Sequence, residues 1–322
     1  MTYKKTFFAA MAASAALLLA ACSSPEETPE PTDSATGGAP TEEIVQIGFI
    51  TKFPVDFFDI MVDAAKAWDE AEPGAEVFYA QGESGTDDEG IIAAIQSFVT
   101  QGVDAIVITP TSPAVEGDLQ KAVDAGIKVI LVDNDIPDWD GKTALVATDN
   151  FAGGELAGQW FVENLPAGST IAVLQGVLGN PSLDDRVNGM LEVLGDHASI
   201  VATIATDCDQ TKGLNAGQDI LTSNPDVDAI YAACGPPLTG ALEAVKAVGR
   251  EGDIVTVGFD ASPDEVAAII AGTQTASVAQ FPANMGTYGV QTAYDAVMGL
   301  EVEALVDTGT EMVTADNAAD FQ

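Results

Sequence analysis

The chain contains few of the side chains that enzymes use for proton transfer and metal binding. Among 322 residues there is one histidine, His197, and there are two arginines, Arg186 and Arg250. One histidine cannot pair with a second in a metal site, so histidine-centred catalysis is not expected. The sequence also lacks a Gly-x-x-x-x-Gly-Lys loop, a Cys-x-x-Cys pair and a nucleophile elbow. We therefore expect a protein that is not an enzyme and that has no cofactor or resident metal.

Positive charge is also scarce. Eleven Lys and Arg residues stand against 50 Asp and Glu residues, which gives a formal net charge of -39. A field of this sign repels nucleic-acid backbones and anionic membrane surfaces, so we expect no nucleic-acid partner.

Apolar residues, by contrast, are plentiful. They make up 47% of the chain, enough to form one large or two medium globular cores. Wholesale disorder and a fibrous repeat are excluded.

Residues 1–21 have the pattern of a secretory signal peptide. Lys4 and Lys5 precede an apolar run that reaches Leu19 and is too short to be argued as a membrane span. The four residues that end at Cys22 resemble the lipobox of bacterial lipoproteins, which implies cleavage before Cys22 and lipidation of this residue. An ordinary signal peptide followed by a chance cysteine is the alternative.

For residues 22–43 we predict a lipidated cysteine, Cys22, followed by a disordered tether. After Cys22 the segment is rich in Pro, Ser, Thr, Gly and Glu and has almost nothing to bury. Together these features predict an extracytoplasmic domain that only a lipid anchor holds to the membrane.

From residue 44 onward, short apolar strands alternate with helical segments. The ten predicted strands cover residues 44–51, 75–81, 105–110, 128–133, 143–148, 170–175, 200–205, 229–233, 254–259 and 275–279. Their nearly continuous apolar character is typical of parallel sheets covered by helices on both faces. The predicted helices include residues 113–125 and 238–248. We predict an α/β fold with two doubly wound, Rossmann-like lobes, whose last helix, at 285–298, leads into a short tail.

Ligands of such sheets bind beyond the carboxyl ends of the strands. In this sequence those positions are rich in carboxylates, amides and aromatic rings. The positions are 51–58, 133–134, 148–150, 176–186, 207–209, 234–235, Asp260 and Gln280. Carboxylates and amides hydrogen-bond hydroxyl groups and rings cover C–H faces, which predicts a neutral, polyhydroxylated ligand.

Five motifs in this order carry a resemblance to a known family. They are Thr148-Asp149-Asn150, Asp207 to Asp209 with Lys212-Gly213, Asn224-Pro225-Asp226, Val257 to Asp260 with Ser262-Pro263-Asp264, and Ala279-Gln280 with Pro282. Together they resemble the periplasmic sugar-binding proteins of the ribose/galactose type, which share their body with LacI-like repressors. The similarity runs from residue 44 to the C-terminus.

The resemblance implies a type I periplasmic binding protein, with two lobes joined by a three-segment hinge. The N-terminal lobe would comprise residues 44–150 and 282–308, and the C-terminal lobe residues 151–281 and 309–322. The chain crossings would lie near Asn150, near Phe281 and at Asp307 to Gly309.

The resemblance also implies ligand-binding roles on the N-terminal lobe. Phe57 and Phe58 occupy the position of rings that sandwich the sugar, although either could instead be a core residue at a helix start. Asp133 matches a carboxylate that accepts two sugar hydroxyls. Asn134 stands where the family commonly has Arg, which should alter the hydroxyl pattern or anomer that is recognised.

On the C-terminal lobe the same resemblance assigns three further residues. Arg186, in an Arg-x-x-Gly spacing, would reach the sugar, or it could form a surface ion pair with Asp184 and Asp185. Asp260 is the strongest single candidate, and its replacement by Ala is expected to remove most saccharide binding while leaving the fold intact. Gln280 would contact both ligand and hinge.

Two cysteines depart from the family pattern. Cys208 stands where ribose-type relatives often have an aromatic residue, and Cys234 where they have an Asn that binds the sugar. Both therefore match ligand-facing positions in an exported domain, so we hypothesise a Cys208–Cys234 disulfide at the cleft wall. Two free, half-buried thiols are the alternative.

The acidic segment from Asp133 to Gly141 weakly resembles a calcium loop. It lacks the closing Glu of an EF-hand and contains Pro137. We interpret it as a solvated acidic loop with no metal.

The function implied by the resemblance is that of a solute-binding lipoprotein of an ABC importer. Its lobes would close on a neutral monosaccharide, pentose or hexose, or on a sugar alcohol, and the transmembrane permease would recognise the closed monomer.

Other functions stay open. A sensor for a chemoreceptor or membrane kinase would have the same features, and a nucleoside or furanone signal is an alternative ligand. An exported glycosidase would need two carboxylates flanking a bond, for which Asp133 and Asp260 could be imagined. A DNA-binding repressor is excluded by the export signal, the charge and the lack of an N-terminal helix-turn-helix.

Overall fold

The computed structural model describes residues 44–321 of the protein. The predicted signal peptide, the lipidation site Cys22 and the tether lie outside the described residues. Between residues 44 and 321, no helix is both long enough and apolar enough to cross a membrane.

The described part alternates strands and helices along most of its length. The strands are β1 (Val45–Thr51), β2 (Ala75–Gln81), β3 (Ala105–Ile108), β4 (Lys128–Val132), β5 (Ala144–Ala147), β6 (Ser169–Gln175), β7 (Ala198–Ala205), β8 (Ala229–Ala232), β9 (Val255–Asp260), β10 (Ala276–Ala279), β11 (Leu305–Asp307) and β12 (Glu311–Thr314). The helices are α1 (Asp56–Ala71), α2 (Asp88–Gln101), α3 (Glu116–Asp124), α4 (Asn150–Asn164), α5 (Pro181–Leu194), α6 (Gln210–Ser223), α7 (Gly235–Ala247), α8 (Pro263–Ala271) and α9 (Pro282–Val297).

The strands form two six-stranded sheets. The first has the order β11-β5-β4-β3-β1-β2 and is parallel throughout. The second has the order β12-β10-β9-β8-β6-β7, and only its edge strand β12 is antiparallel to its neighbour. The predicted α/β class with two doubly wound halves is confirmed.

Helices cover both faces of the first sheet. Phe49 of β1 lies in a buried cluster with Met61 of α1 and Met285 of α9. Its neighbour Ile50 points to the opposite face and lies in a cluster with Ile91 of α2. This alternation along one strand explains why successive residues such as Phe49 and Ile50 are both apolar.

The chain passes between the sheets three times, at residues 148–149, 280–281 and 308–310. The Oγ1 atoms of Thr148 and Thr308 are 3.3 Å apart. Asn284 Nδ2, near the start of α9, donates a hydrogen bond to the Thr308 carbonyl oxygen at 3.3 Å. Thr308 therefore contacts both the first crossing and the helix that follows the second.

The segment after α9 differs from the predicted short tail. It supplies β11 to the first sheet and β12 to the second, and it ends in a 3-10 turn at Ala318–Phe321. Edge strands of three and four residues are too short to give a clear apolar alternation, which explains the error.

Two helix boundaries also differ from the prediction. Helix α7 begins at Gly235 rather than 238, because prolines suit the first turn of a helix, where no backbone N–H is needed. The predicted helix at 113–125 is a 3-10 turn, Pro113–Val115, followed by α3.

The membership of each strand in one of the two sheets can be compared with the predicted lobes. Strands of the first sheet fall within residues 45–147 and 305–307, and those of the second within 169–279 and 311–314. The exact lobe boundaries stay a prediction.

Candidate functional site

The carboxyl edge of each sheet carries an aspartate with a positive backbone φ. Asp133 directly follows β4 with φ 67°, and Asp260 ends β9 with φ 99°. Residues other than glycine rarely adopt such values, and where they do the surrounding structure must hold them. Because such strain clusters at functional sites, these two residues mark the candidate site.

On the second sheet, Asp260 pairs with the buried Arg186 of α5. The arginine is only 4% exposed, and its Nη1 donates hydrogen bonds to Asp260 Oδ1 at 3.1 Å and to the Ala233 carbonyl oxygen at 2.9 Å. Its Nε donates to Asn150 Oδ1 at 2.8 Å. The guanidinium carbon lies 3.9 Å from the centroid of the Phe259 ring, so the cation also gains from the ring face.

The alternative role for Arg186, a surface ion pair with its acidic neighbours on α5, is therefore wrong. Asp184 instead accepts a hydrogen bond from Gln175 Nε2 at 2.8 Å. The sequence places Asp184 and Arg186 two positions apart, and side chains at that spacing on a helix do not face each other.

Close packing of α4 on α5 holds Arg186 in place. A Cβ at Gly154 would overlap the Arg186 carbonyl oxygen, and a Cβ at Gly189 would overlap the Phe151 carbonyl oxygen. The hydroxyl of Tyr231 donates to the same Arg186 carbonyl oxygen at 3.2 Å. The backbone of Arg186 is thus fixed from two directions.

Asp260 and Gln280 form the other half of this network. Gln280 Nε2 donates to Asp260 Oδ1 at 2.7 Å, and the backbone N–H of Gly235 donates to Oδ2 at 3.2 Å. With the bond from Arg186, protein donors take three of the roughly four acceptor positions of this carboxylate. Gln280 is 7% exposed, and its Oε1 is buried with no hydrogen-bond partner in residues 44–321.

On the first sheet, Lys52 and Asp133 lie at the carboxyl ends of two strands, β1 and β4. Ile50 of β1 pairs with Ile108 of β3, which pairs with Leu131 of β4. Lys52 directly follows β1 and Asp133 directly follows β4, so both lie at the carboxyl edge of the sheet, with β3 between their strands. Both side chains are half-buried.

The charges at this edge act on one another. Burial raises the pKa of Asp133, the cations Lys52 and Arg186 oppose that shift, and the negative charge of Asp260 adds to it. Burial lowers the pKa of Lys52, while Asp133 opposes and Arg186 reinforces the change. The carboxyl edges of the two sheets therefore lie within reach of each other's charges.

The three phenylalanines near the start of α1 differ in exposure. Phe58 is 5% exposed and belongs to the core of the first sheet, as its alternative role predicted. Phe57 and Phe53 are half-buried and pack edge-on against Phe58, with ring centroids 5.3 and 5.4 Å away. Phe57 and Phe53 are therefore the rings available to a ligand.

Asn134 lies beside Asp133 and is half-buried. Its Nδ2 approaches the Pro110 carbonyl oxygen at 3.5 Å, the limit of a hydrogen bond. Its amide is thus only weakly held by the protein.

Cys208 and Cys234 are joined by a disulfide, with their Cα atoms 5.9 Å apart. Cys234 is buried at the start of α7, and Cys208 is half-buried in the loop between β7 and α6. Free thiols, the alternative, are not what this structure contains.

The acidic segment that follows Asp133 is organised by a lysine. Lys142 Nζ donates to Asp135 Oδ1 at 2.7 Å and to the Ile136 carbonyl oxygen at 3.0 Å, while Asp138 and Asp140 are exposed. In the part of the chain that the structure describes, no three His, Cys, Asp or Glu residues are grouped to hold a metal.

Lys52 and Phe53 are site residues that the sequence analysis did not single out. Both follow β1 directly, at the strand end where ligands of such sheets bind. A lysine at this position, in a chain with eleven basic residues, was a usable signal.

Comparisons with known proteins identify the family of the chain. A family model described as a periplasmic binding protein domain matches residues 47–301. The ribose import binding protein of Salmonella typhimurium is 33% identical over 224 residues, which cover 69% of this chain and 75% of that protein. The D-ribose/D-allose-binding protein of Pseudomonas aeruginosa is 30% identical over 291 residues, which cover 86% and 91%.

A solved structure shows the same fold. It is an ABC transporter solute-binding protein from Bacillus halodurans with bound myo-inositol, which matches with a TM-score of 0.80 and 25% identity and covers 87% of this chain and 98% of its own. These relatives are sugar-binding transport proteins rather than enzymes. The chain therefore belongs to the periplasmic binding proteins of the ribose/galactose type.

Proposed function

We propose that the protein is the extracytoplasmic solute-binding subunit of an ABC importer. Its ligand is an uncharged monosaccharide, a pentose or hexose, or a sugar alcohol, bound between the carboxyl edges of the two sheets. The names of the relatives, which refer to ribose, allose and a bound myo-inositol, support this class of ligand.

The observation that carries the proposal is the charge balance of the site. Lys52 and Arg186 supply two positive charges, Asp133 and Asp260 supply two negative ones, and each aspartate has a cation within range. The formal sum of these four groups is zero, so they give the site no net charge that would attract a carboxylate or an ammonium group.

Hydrogen-bond acceptors of the site that have no protein donor favour a ligand with hydroxyl groups. Asp260 retains one acceptor position, and Gln280 Oε1 has no partner among the described residues. An unsatisfied buried acceptor costs about 1–3 kcal/mol, which a hydroxyl donor from the ligand would offset. Phe57 supplies an apolar surface for the C–H face of a sugar ring.

Ligand binding would close the two lobes. A ligand that contacts Asp133 on one sheet and Gln280 at the second crossing interacts more strongly with the closed state than with the open one. That difference in affinity is what shifts the equilibrium. A closed monomer would then be the form that the permease recognises.

The N-terminal residues would determine where the protein is located. Residues 1–21 would direct export, and a lipid on Cys22 would anchor the protein to the membrane. Growth with radioactive palmitate should label the protein but not its Cys22→Ser variant; equal labelling of the two, or of neither, would contradict the anchor.

Calorimetry tests the ligand class. The protein is titrated with D-ribose, D-allose and myo-inositol, and then with D-glucuronate and D-glucosamine as charged counterparts. We expect at least one uncharged compound to bind, and both charged ones to bind at least tenfold more weakly than it. Tighter binding of either charged compound would refute the proposal.

A matched pair of variants connects that binding to the site. Gln280→Ala removes the free Oε1 and should weaken binding of the uncharged compound, whereas Asp219→Ala alters an exposed carboxylate on α6 and should not. Equal affinities for the two variants would place the ligand elsewhere.

A further inference from the structure

The residue Cys234 lies between the two backbone groups that hold the Arg186–Asp260 pair. On one side, the Ala233 carbonyl oxygen accepts the hydrogen bond from Arg186 Nη1 at 2.9 Å. On the other, the Gly235 N–H donates to Asp260 Oδ2 at 3.2 Å. Any movement of the backbone at Cys234 therefore moves a partner of both charged groups.

The start of α7 is held by backbone contacts and by the disulfide. The Ala233 N–H donates to the Leu174 carbonyl oxygen at 3.0 Å. A Cβ at Gly213 of α6 would overlap the Pro237 carbonyl oxygen, so the first turn of α7 packs closely on α6. Cys234 is the N-cap residue, and it makes no side-chain capping hydrogen bond. Pro236 and Pro237 follow Gly235 and have no N–H to donate. The disulfide is therefore the covalent link that this helix start has in addition to its backbone hydrogen bonds and packing.

The other end of the disulfide is firmly anchored. Asp207 and Cys208 have φ values of 50° and 53°, which non-glycine residues keep only when their surroundings enforce them. Asp209 caps α6 by accepting a hydrogen bond from the Lys212 N–H at 2.8 Å. A Cβ at Gly176, just after β6, would come within 3.0 Å of Cys208 Sγ, so this sulfur packs against the next strand end.

We propose that the Cys208–Cys234 disulfide is a positioning element of the ligand site. It fixes the Ala233 carbonyl and the Gly235 N–H, and through them it presets Arg186 and Asp260 before ligand arrives. The consequence for affinity rests on the function proposed above. The consequence for the backbone at Gly235 does not require any ligand.

The reason for an effect on affinity is preorganisation. A site whose groups are already in place loses less conformational freedom on binding than one that must be ordered by its ligand. The disulfide acts here on a partner of each charged group, so its removal should weaken binding even in molecules that remain fully folded.

Two measurements on the Cys208→Ser/Cys234→Ser variant test the proposal. The first is amide hydrogen exchange at Gly235 without ligand, which should become at least tenfold faster, while exchange at Ile106 in the first sheet keeps its rate. The second is calorimetry with D-ribose, D-allose and myo-inositol, in which the compound that binds the unmodified protein should bind about tenfold more weakly.

A control separates positioning from general stability. Ile220 is buried in the last turn of α6, away from the disulfide. Ile220→Ala should destabilise the same half of the molecule without changing either exchange at Gly235 or affinity. If Ile220→Ala reproduces both effects of the cysteine variant, the disulfide is merely stabilising and the proposal is wrong.

The remaining outcomes are also decisive. Unchanged exchange at Gly235 in the cysteine variant overturns the proposal, and faster exchange with unchanged affinity overturns its link to binding. If none of the three compounds binds the unmodified protein, the proposed function fails, while the exchange result still decides the positioning role. Should the double variant not fold, Cys208→Ser alone, which keeps the buried Cys234 side chain, is measured in the same way.

Discussion

Arg186 Nη1 donates a hydrogen bond to Asp260 Oδ1 at 3.1 Å, in a setting where the arginine is almost fully buried. A buried cation is tolerated only when it is paired and hydrogen-bonded. Asp260 is therefore part of the structure that holds Arg186, in addition to its proposed contact with ligand. The expectation that Asp260→Ala leaves the fold intact needs revision.

We predict that Asp260→Ala lowers the free energy of unfolding by about 3 kcal/mol, because it leaves the charge of Arg186 without its partner. Urea denaturation followed by circular dichroism measures this. Asp219→Ala, at an exposed site on α6, should change stability by less than about 0.5 kcal/mol. Similar values for the two variants would show that the pair has no structural role.

A second prediction concerns Lys52 and the pH dependence of binding. Lys52 lowers the pKa of Asp133, so Lys52→Met should raise that pKa further. If ionised Asp133 accepts ligand hydroxyls, the pH at which binding is half-maximal shifts upward in this variant. Calorimetry from pH 5 to pH 8 with the uncharged ligand checks the shift. Lys52→Arg keeps the positive charge and should behave like the unmodified protein. Identical pH profiles for all three proteins would show that Lys52 does not influence the binding site.

A third prediction concerns Glu265 of α8, a fully buried carboxyl group. Its oxygens accept hydrogen bonds from Gln274 Nε2 at 3.0 Å, Ser277 Oγ at 2.9 Å and the Ser262 N–H at 3.1 Å. Burial, reinforced by the charge of Asp260, outweighs these bonds and raises the pKa of Glu265 to about 7 from an ordinary 4.5.

The folded state therefore holds the Glu265 proton more tightly than the unfolded chain does. Its contribution to stability is complete below pH 4.5 and is lost as the pH rises through 7, a change of about 3 kcal/mol. Glu265→Gln cannot ionise, so its stability relative to the unmodified protein should rise across that window. Denaturation curves at pH 4.5, 6 and 8 measure this difference, and a constant difference would contradict the raised pKa.

A fourth prediction separates two neighbouring rings. Phe58 is a core residue, so Phe58→Ala should lower the free energy of unfolding by about 3 kcal/mol. Phe57 is half-buried at the site, so Phe57→Ala should weaken sugar binding with a much smaller loss of stability. Thermal melts combined with calorimetry distinguish the two, and the reverse pattern would exchange their roles.

Much of the sheet architecture could be predicted from the sequence because buried parallel strands are apolar at successive positions. β1, for example, contains an apolar run from Val45 to Ile50 that is interrupted only by Gln46 and Gly48. The strand ends then located Asp133 and Asp260, since parallel strands bring their carboxyl ends to one edge.

The partners of those residues could not be predicted in the same way. Arg186 and Asp260 are 74 positions apart, and neither local spacing nor periodicity indicates such a contact. The nearby Asp184 and Asp185 were the plausible partners on sequence grounds alone. The packing of α4 on α5 and the hydrogen bond from the Tyr231 hydroxyl hold the backbone of this arginine, and neither can be read from local spacing.

The edge strands β11 and β12 make both sheets depend on the C-terminal segment of the chain. β11 and β12 are separated by only three residues, yet each covers the edge of a different sheet, β5 in one and β10 in the other. Truncation of the chain between Met298 and Leu305 would remove both strands at once. Two uncovered strand edges would then be open to pairing with other molecules, so truncation at this point should lead to aggregation rather than to a smaller folded protein.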